Sequence, residues 1–308
     1  MFRLIQNERM KLWSKKGTWV MLILLVLATV CYALLIKSST YDEGDWRAEE
    51  QSNISYSKEY LDDPSITKEE KVDMEQSIQI SEYRLANDIP PLTMDSTESY
   101  LLEIPTFMWL IMLFAVIVAS TIVSSEFNKG TIKMLLTRPV SRANILTSKL
   151  LATLEFTILF TIIAFALNVL FAYVLFDQTN GATLMMDNGQ IVQQPIWSTL
   201  WRNIAFEAVM VLMSILFAFM ISTVTRSSSL AIGITIFITM ASSLIAAFFY
   251  EFKLIQFVWF TIMDLENIYE GNHMLDVSLP FALTIQFIYA VIFLVISYMH
   301  FTKSDVTA

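Results

Sequence analysis

Six stretches of the chain, residues 18–37, 105–124, 150–176, 204–224, 228–250 and 280–301, run for about twenty residues or more with at most one charged side chain each. A bilayer's hydrocarbon core is roughly 30 Å thick and takes about 20 helical residues to cross. Each stretch is apolar on every side, so its length, not its periodicity, decides the reading. Lipid offers no partner to an open backbone N–H or C=O, which leaves helices or a closed barrel. A barrel needs ~10-residue alternating strands, and none is visible. The sequence therefore predicts an all-α polytopic membrane protein with six transmembrane helices. Composition agrees, because charged residues make up 16% where a soluble domain carries about 25%.

The net charge of −9 is local in origin. Seventeen of the 29 acids fall between Lys37 and Glu103. Cys31, the only cysteine, lies within an apolar run, so no disulfide within one chain and no CxxC motif is available. The first apolar run, Thr18 to Ile36, exceeds the ~7–15 residues of a signal-peptide core and reads as a retained span.

Lysine and arginine in the short connections give the orientation. Residues 1–17 hold five (Arg3, Arg9, Lys11, Lys15, Lys16), and residues 125–149 hold five more (Lys129, Lys133, Arg138, Arg142, Lys149). Arg226 and Lys303 mark the other two segments on that side. Opposite them, residues 177–203 and 251–279 have one each, Arg202 and Lys253. The positive-inside rule places both termini, including the tail 302–308, in the cytoplasm of a multi-pass cell-membrane protein.

Residues 1–17 are amphipathic, with Phe2, Ile5, Leu12 and Trp13 near one face, and read as a helix lying in the membrane interface. The acidic segment 38–104 reads as a helical extracellular domain. Ser65 to Glu69 has the form of a helix cap, Lys68 to Leu85 has few apolar residues, Val72, Ile78, Ile80 and Leu85 among them, and Pro90-Pro91 closes it. Residues 177–203 read as an extracellular loop. Residues 251–279 contain an apolar run, Leu254 to Met263, too short to cross, and read as an extracellular re-entrant segment.

The basic stretch 125–149 carries more than charge. From Glu126 to Thr137 the sequence sets Phe127, Ile132, Leu135 and Leu136 among polar residues, and Arg138-Pro139 stops the helix. Ser141 is placed to cap a second helix that runs on into the third span. A short helix with an apolar edge and a basic edge suits docking into a partner's groove.

Glu126-Phe127-Asn128-Lys129-Gly130-Thr131, then Leu135-Leu136-Thr137-Arg138-Pro139-Val140-Ser141-Arg142 and Lys149-Leu150, resembles the first cytoplasmic loop of ABC-2 type transporter permeases. The resemblance covers nearly the whole chain, from the interfacial helix to the half-spanning segment before the last helix. It departs in the large 38–104 segment, which is similar to that of bacterial members with an extended first outer loop. It implies that the loop is a coupling helix contacting an ATPase subunit, through Glu126, Gly130, Thr131, Ile132, Leu135, Leu136, Arg138 and Pro139. It also implies the membrane subunit of an ATP-driven exporter, paired with a second copy or a paralogue and with ABC ATPase subunits. Membrane lipids are further expected partners, and nucleic acid is not. The cargo, whether drug, antibiotic peptide, lipid or ion, is not encoded in any motif.

No GxxxxGK[ST] occurs and the chain holds only seven glycines, too few for a phosphate-cradling loop at the required spacing. ATP is expected on the partner, and no cofactor, metal site or catalytic constellation is expected on this chain, which is read as no enzyme itself. Two acids lie within spans, Glu155 and Glu207. Such residues mark ion pathways, but both stand near an interface, where headgroups, Lys149 or Arg202 come within reach. An ion-gradient-driven secondary transporter and a non-transporting membrane sensor are the competing readings. The first calls for charged midplane residues and an internal repeat, the second for a cytoplasmic signalling domain.

Overall fold

Helices account for most of the chain, as apolar sequence deprived of water requires. The computed structural model describes residues 1–39, 44–61, 68–128, 140–179, 181–187 and 190–303. Among them run α1 (Phe2–Trp13), α2 (Lys16–Ser38), α3 (Trp46–Leu61), α4 (Lys68–Asn87), α5 (Thr97–Leu102), α6 (Phe107–Asn128), α7 (Arg142–Leu175), α8 (Ile196–Thr225), α9 (Ser228–Phe249), α10 (Leu265–Glu270) and α11 (Leu279–Lys303). Among the described residues six helical segments are long and apolar enough to cross a membrane, namely Lys16–Ser38, Thr97–Phe127, Arg142–Leu175, Ile196–Thr225, Ser228–Phe249 and Leu279–Lys303. The protein is an all-α polytopic membrane protein.

Local chemistry sets several helix ends. The Ser141 hydroxyl accepts from Asn144 N at 3.3 Å and starts α7, as the sequence suggested. Between α8 and α9 the chain turns within Arg226-Ser227. Arg226 adopts φ 57°, and the Ser227 hydroxyl then accepts from Leu230 N. Gly271, at φ 79°, closes α10 in the left-handed region that glycine enters without a Cβ penalty.

Contacts divide the chain into two units. The first comprises Met1–Ala28, Pro105–Phe165 and Asn203–Ala308. Its core is built on α6 and α8, where Ile111, Ala115, Val116, Ala119, Ala218 and Phe219 are almost wholly enclosed. The small residues let the two helices approach, and Ser222 Oγ donates to Ser120 O across them at 2.5 Å.

The segment before α11 belongs to this unit. Its apolar run forms two 3₁₀ turns, Ile255–Phe257 and Trp259–Ile262. Trp259 is buried against Phe217 of α8 and Phe293 of α11, with ring centroids 5.1 and 5.6 Å away. Gln286 of α11, also buried, donates through Nε2 to Trp259 O at 2.8 Å and Ile262 O at 3.1 Å. Non-helical backbone among apolar helices needs such internal donors.

The second unit comprises Thr29–Ile104 and Ala166–Arg202. Helices α3 and α4 pair through Lys58 and Glu82 (3.0 Å), Arg84 and Glu50 (3.8 Å), and Arg47 and Asp88. Arg84 is buried, which pulls its guanidinium pKa down against the opposing pull of Glu50, and it donates to Pro90 O. Tyr100 stacks on Phe176 at 4.7 Å and donates to Asn168 Oδ1 at 2.8 Å. The Ser65 cap expected for α4 lies outside the described residues.

Residues 177–203, read from the sequence as a loop, contain an antiparallel hairpin, β1 (Leu184–Asp187) with β2 (Gln190–Gln193). Four-residue strands give too short an alternation to register as a pattern. Ala182 N, just before β1, donates to Pro90 O. A Cβ at Gly181 would stand 2.4 Å from Pro91 O, so the close approach of these two backbones requires glycine there.

Candidate coupling site

The stretch singled out in the sequence leaves α6 and enters α7. Of its residues, Gly130, Thr131, Ile132, Leu135, Leu136, Arg138 and Pro139 lie outside the described residues. Glu126 and the two roots of the segment are described, and they are anchored on several sides.

Glu126, in the last turn of α6, is 8% exposed. Its Oε1 accepts from Lys11 Nζ at 2.8 Å and from Lys149 Nζ at 3.1 Å. Glu8 of α1 accepts from the same two ammonium groups, Lys11 at 3.0 Å and Lys149 at 2.9 Å. Two carboxylates and two ammoniums thus close a neutral ring joining α1, α6 and α7. Lys149 is fully buried, where an unpaired charge would cost several kcal/mol. Burial alone would draw the Lys11 pKa down, but the hydrogen bonds and charges of Glu126 and Glu8 outweigh it and hold the group above its ordinary value.

Other anchors surround the ring. Phe127 lies under the Arg226 guanidinium at 4.8 Å and against Phe301 at 6.3 Å. At the α7 root, Arg142 Nη1 donates to Thr302 O at 3.2 Å, and the Thr147 and Tyr298 hydroxyls are 2.5 Å apart. The α6 root is therefore tied to α1, the α8–α9 turn and α11, and the α7 root to α1 and α11.

In the sequence Lys149 counts among the loop cations and stands within reach of Glu155. The structure corrects both points. Lys149 turns inward to Glu8 and Glu126, and Glu155 pairs with Arg9 at 2.9 Å, with both side chains nearly half exposed. A signal for the ring was present in the spacing. Lys149 stands in line with Ile145, Ala152 and Phe156, Glu8 with Leu12, and Glu126 with Ile122 and Val123, so each charge falls on its helix's buried face.

Glu207, the other acid within a span, lies within electrostatic range of Asp264 and Glu266, and its Oε2 is enclosed with no hydrogen-bond partner among the described residues. The structure does not bring Glu155 and Glu207 into one site among the described contacts. Asn168 bridges helices through Tyr100, whereas Ser242 bonds back to Thr239 O of its own helix. Among the described residues no group of three His, Cys, Asp or Glu side chains is arranged to hold a metal.

The fold and this site define an integral membrane protein with six membrane-spanning helical segments among the described residues and a charge-locked junction at the roots of one inter-helix segment. The chain belongs to the DUF2705 family, described as "Protein of unknown function", which matches residues 72–307. It is similar to "Uncharacterized protein YhcI" of Bacillus subtilis (strain 168), 34% identical over 316 residues that cover 99% of each chain. It is also similar to "Uncharacterized membrane protein YdbK" of the same organism, 28% identical over 214 residues covering 67% of this chain and 82% of that protein.

Proposed function

We propose that this protein is the membrane permease subunit of an ATP-driven exporter of the ABC-2 type, with ATP hydrolysis carried by a separate partner. The names of its relatives assign no transport role, so the reading rests on the loop motif and on how its roots are held. The observation that carries it is the ring of Glu8, Lys11, Glu126 and Lys149. A segment that receives force from a soluble partner must pass it to the spans, and a slack connection would absorb it. Here both roots are tied to neighbouring helices by ion pairs, hydrogen bonds and aromatic contacts, so a push on residues 126–137 is delivered to α1, α6, α7 and α11 together.

In this reading both termini are cytoplasmic, and residues 38–104 and 177–203 face outward. Six spans enclose too little space for a broad pathway, so two permeases, identical or paralogous, form the conduit between them. Isolation of the full-length protein from its native membrane in mild detergent tests the reading. An ABC ATPase co-purifying in stoichiometric amount supports it, and a preparation without one, whose transport runs on an ion gradient, overturns it.

A further inference from the structure

The stretches Met1–Ala28 and Pro105–Phe165 contain ten basic residues and three acids. All three acids are engaged, Glu8 and Glu126 in the ring and Glu155 with Arg9. The internal pairs offset the negative charge of these two stretches, which hold further basic residues as well. Two of these, Arg3 near the start of α1 and Lys16 at the start of α2, are exposed and have no acidic partner among the described residues.

Apolar side chains flank them on the surface. Phe2 is 76% exposed, and Met10, Trp19 and Val20 are each more than half exposed. Trp19 is held in place by its edge contact with Trp13 (centroids 5.6 Å apart) and by donation of its Nε1 to Trp13 O. Thr18 Oγ1 donates to Leu12 O at 2.6 Å and sets the angle between α1 and α2. The result is a rigid platform, about 18 Å along α1 at 1.5 Å per residue, that carries cations beside apolar rings. A face of that kind suits a layer whose surface is negative and whose interior is apolar.

We propose that α1 and the first turn of α2 form a docking surface for anionic phospholipid headgroups, with Arg3 and Lys16 meeting phosphate and Phe2 and Trp19 entering the acyl boundary. This depends only on the membrane class of the protein and stands whether or not an ATPase partner exists. Attraction of exposed cations to an anionic surface fades with salt over a Debye length, which gives the test its control.

The test uses the full chain with Cys31→Ser and a single cysteine at Gln6, an exposed α1 position, labelled with a fluorophore in phosphatidylcholine vesicles. Quenching by a small fraction of doxyl-labelled phosphatidylglycerol is compared with quenching by the same fraction of doxyl-labelled phosphatidylcholine. About fivefold stronger quenching by the anionic lipid at low salt is expected, a preference of about 1 kcal/mol shared between the two basic side chains. It falls to near unity in 0.5 M salt (about a 4 Å screening length) and in the Arg3→Gln/Lys16→Gln variant. Arg3→Gln alone gives an intermediate ratio. Soluble glycerol 3-phosphate leaves the ratio unchanged, because the surface recognises a bilayer and not a free phosphate; competition by it would overturn the assignment. Equal quenching by the two lipids in the unmodified protein, or a preference that survives the double substitution, would overturn it as well.

Discussion

Lys149 Nζ stands 2.9 Å from Glu8 Oε2, a carboxylate 141 residues earlier in the chain, with neither side chain more than 6% exposed. This contact fixes the N-terminal helix to the root of α7, and Glu126 on the same ammonium adds α6. Removing one member leaves a buried charge uncompensated. Lys149→Met is expected to cost about 3–5 kcal/mol, read as a lowered melting temperature in detergent. Glu8→Gln combined with Lys149→Met restores neutrality, with Lys11 facing Glu126 alone, and should melt above the single variant. A single variant as stable as the original protein would show that the ring holds nothing.

Lys11 gives the ring a pH dependence at its alkaline edge. Its folded pKa is raised above the ordinary 10.5 by Glu126 and Glu8, against the effect of burial. A raised cationic pKa contributes stability that is complete below the unfolded value and lost as pH rises through the folded one. Between the original protein and Lys11→Met, the difference in melting temperature should hold constant to about pH 10 and shrink above it. A difference that grows with alkaline pH contradicts the assigned ion pairs.

Gln286 bears on the 3₁₀ segment. Gln286→Leu leaves Trp259 O and Ile262 O without their side-chain donor, at an expected cost of about 1–3 kcal/mol in a buried setting. The same change should raise protease or hydrogen-exchange susceptibility across residues 255–262 before any global loss. Uniform destabilisation, with no local opening, would mean that the turns are held by Trp259 packing alone.

The proposed orientation is open to direct labelling. In a Cys31→Ser background, cysteines at Ser52 and Asn87, both exposed in α3 and α4, should react with a membrane-impermeant thiol reagent in intact cells. A cysteine at Lys303 should react only after permeabilisation. The reverse pattern inverts the topology and removes residues 126–137 from the cytoplasm.

The proposed docking helix is tested by its apolar edge. Exposed ion pairs are typically worth ~0–1 kcal/mol, whereas burying a leucine contributes about 1.5–3. Leu135→Asp is therefore expected to uncouple transport from ATP hydrolysis in reconstituted membranes with the cognate ATPase, while Lys129→Ala and Lys133→Ala each change little. Full coupling in Leu135→Asp with loss in the lysine variants would make the contact electrostatic.

The six spans were legible without a structure because crossing a bilayer is a local requirement. Twenty consecutive apolar residues must become a helix in lipid whatever they pack against, and the helices Lys16–Ser38 and Ser228–Phe249 follow the apolar runs almost residue for residue. The start of α7 at Ser141 was likewise written in a cap three residues from its donor. Spacing sets these charges on buried helix faces, but the tertiary structure decided which partners they meet. Lys149 looks in sequence like one more basic residue of a loop, and only the packing of α1 and α6 against α7 makes it a buried cation with two carboxylates. The same holds for Gln286, whose donors find backbone carbonyls 24 and 27 residues away. Helix formation responds to neighbours within a turn, whereas an ion pair or a buried amide responds to whichever helix arrives beside it, and that choice belongs to the whole fold.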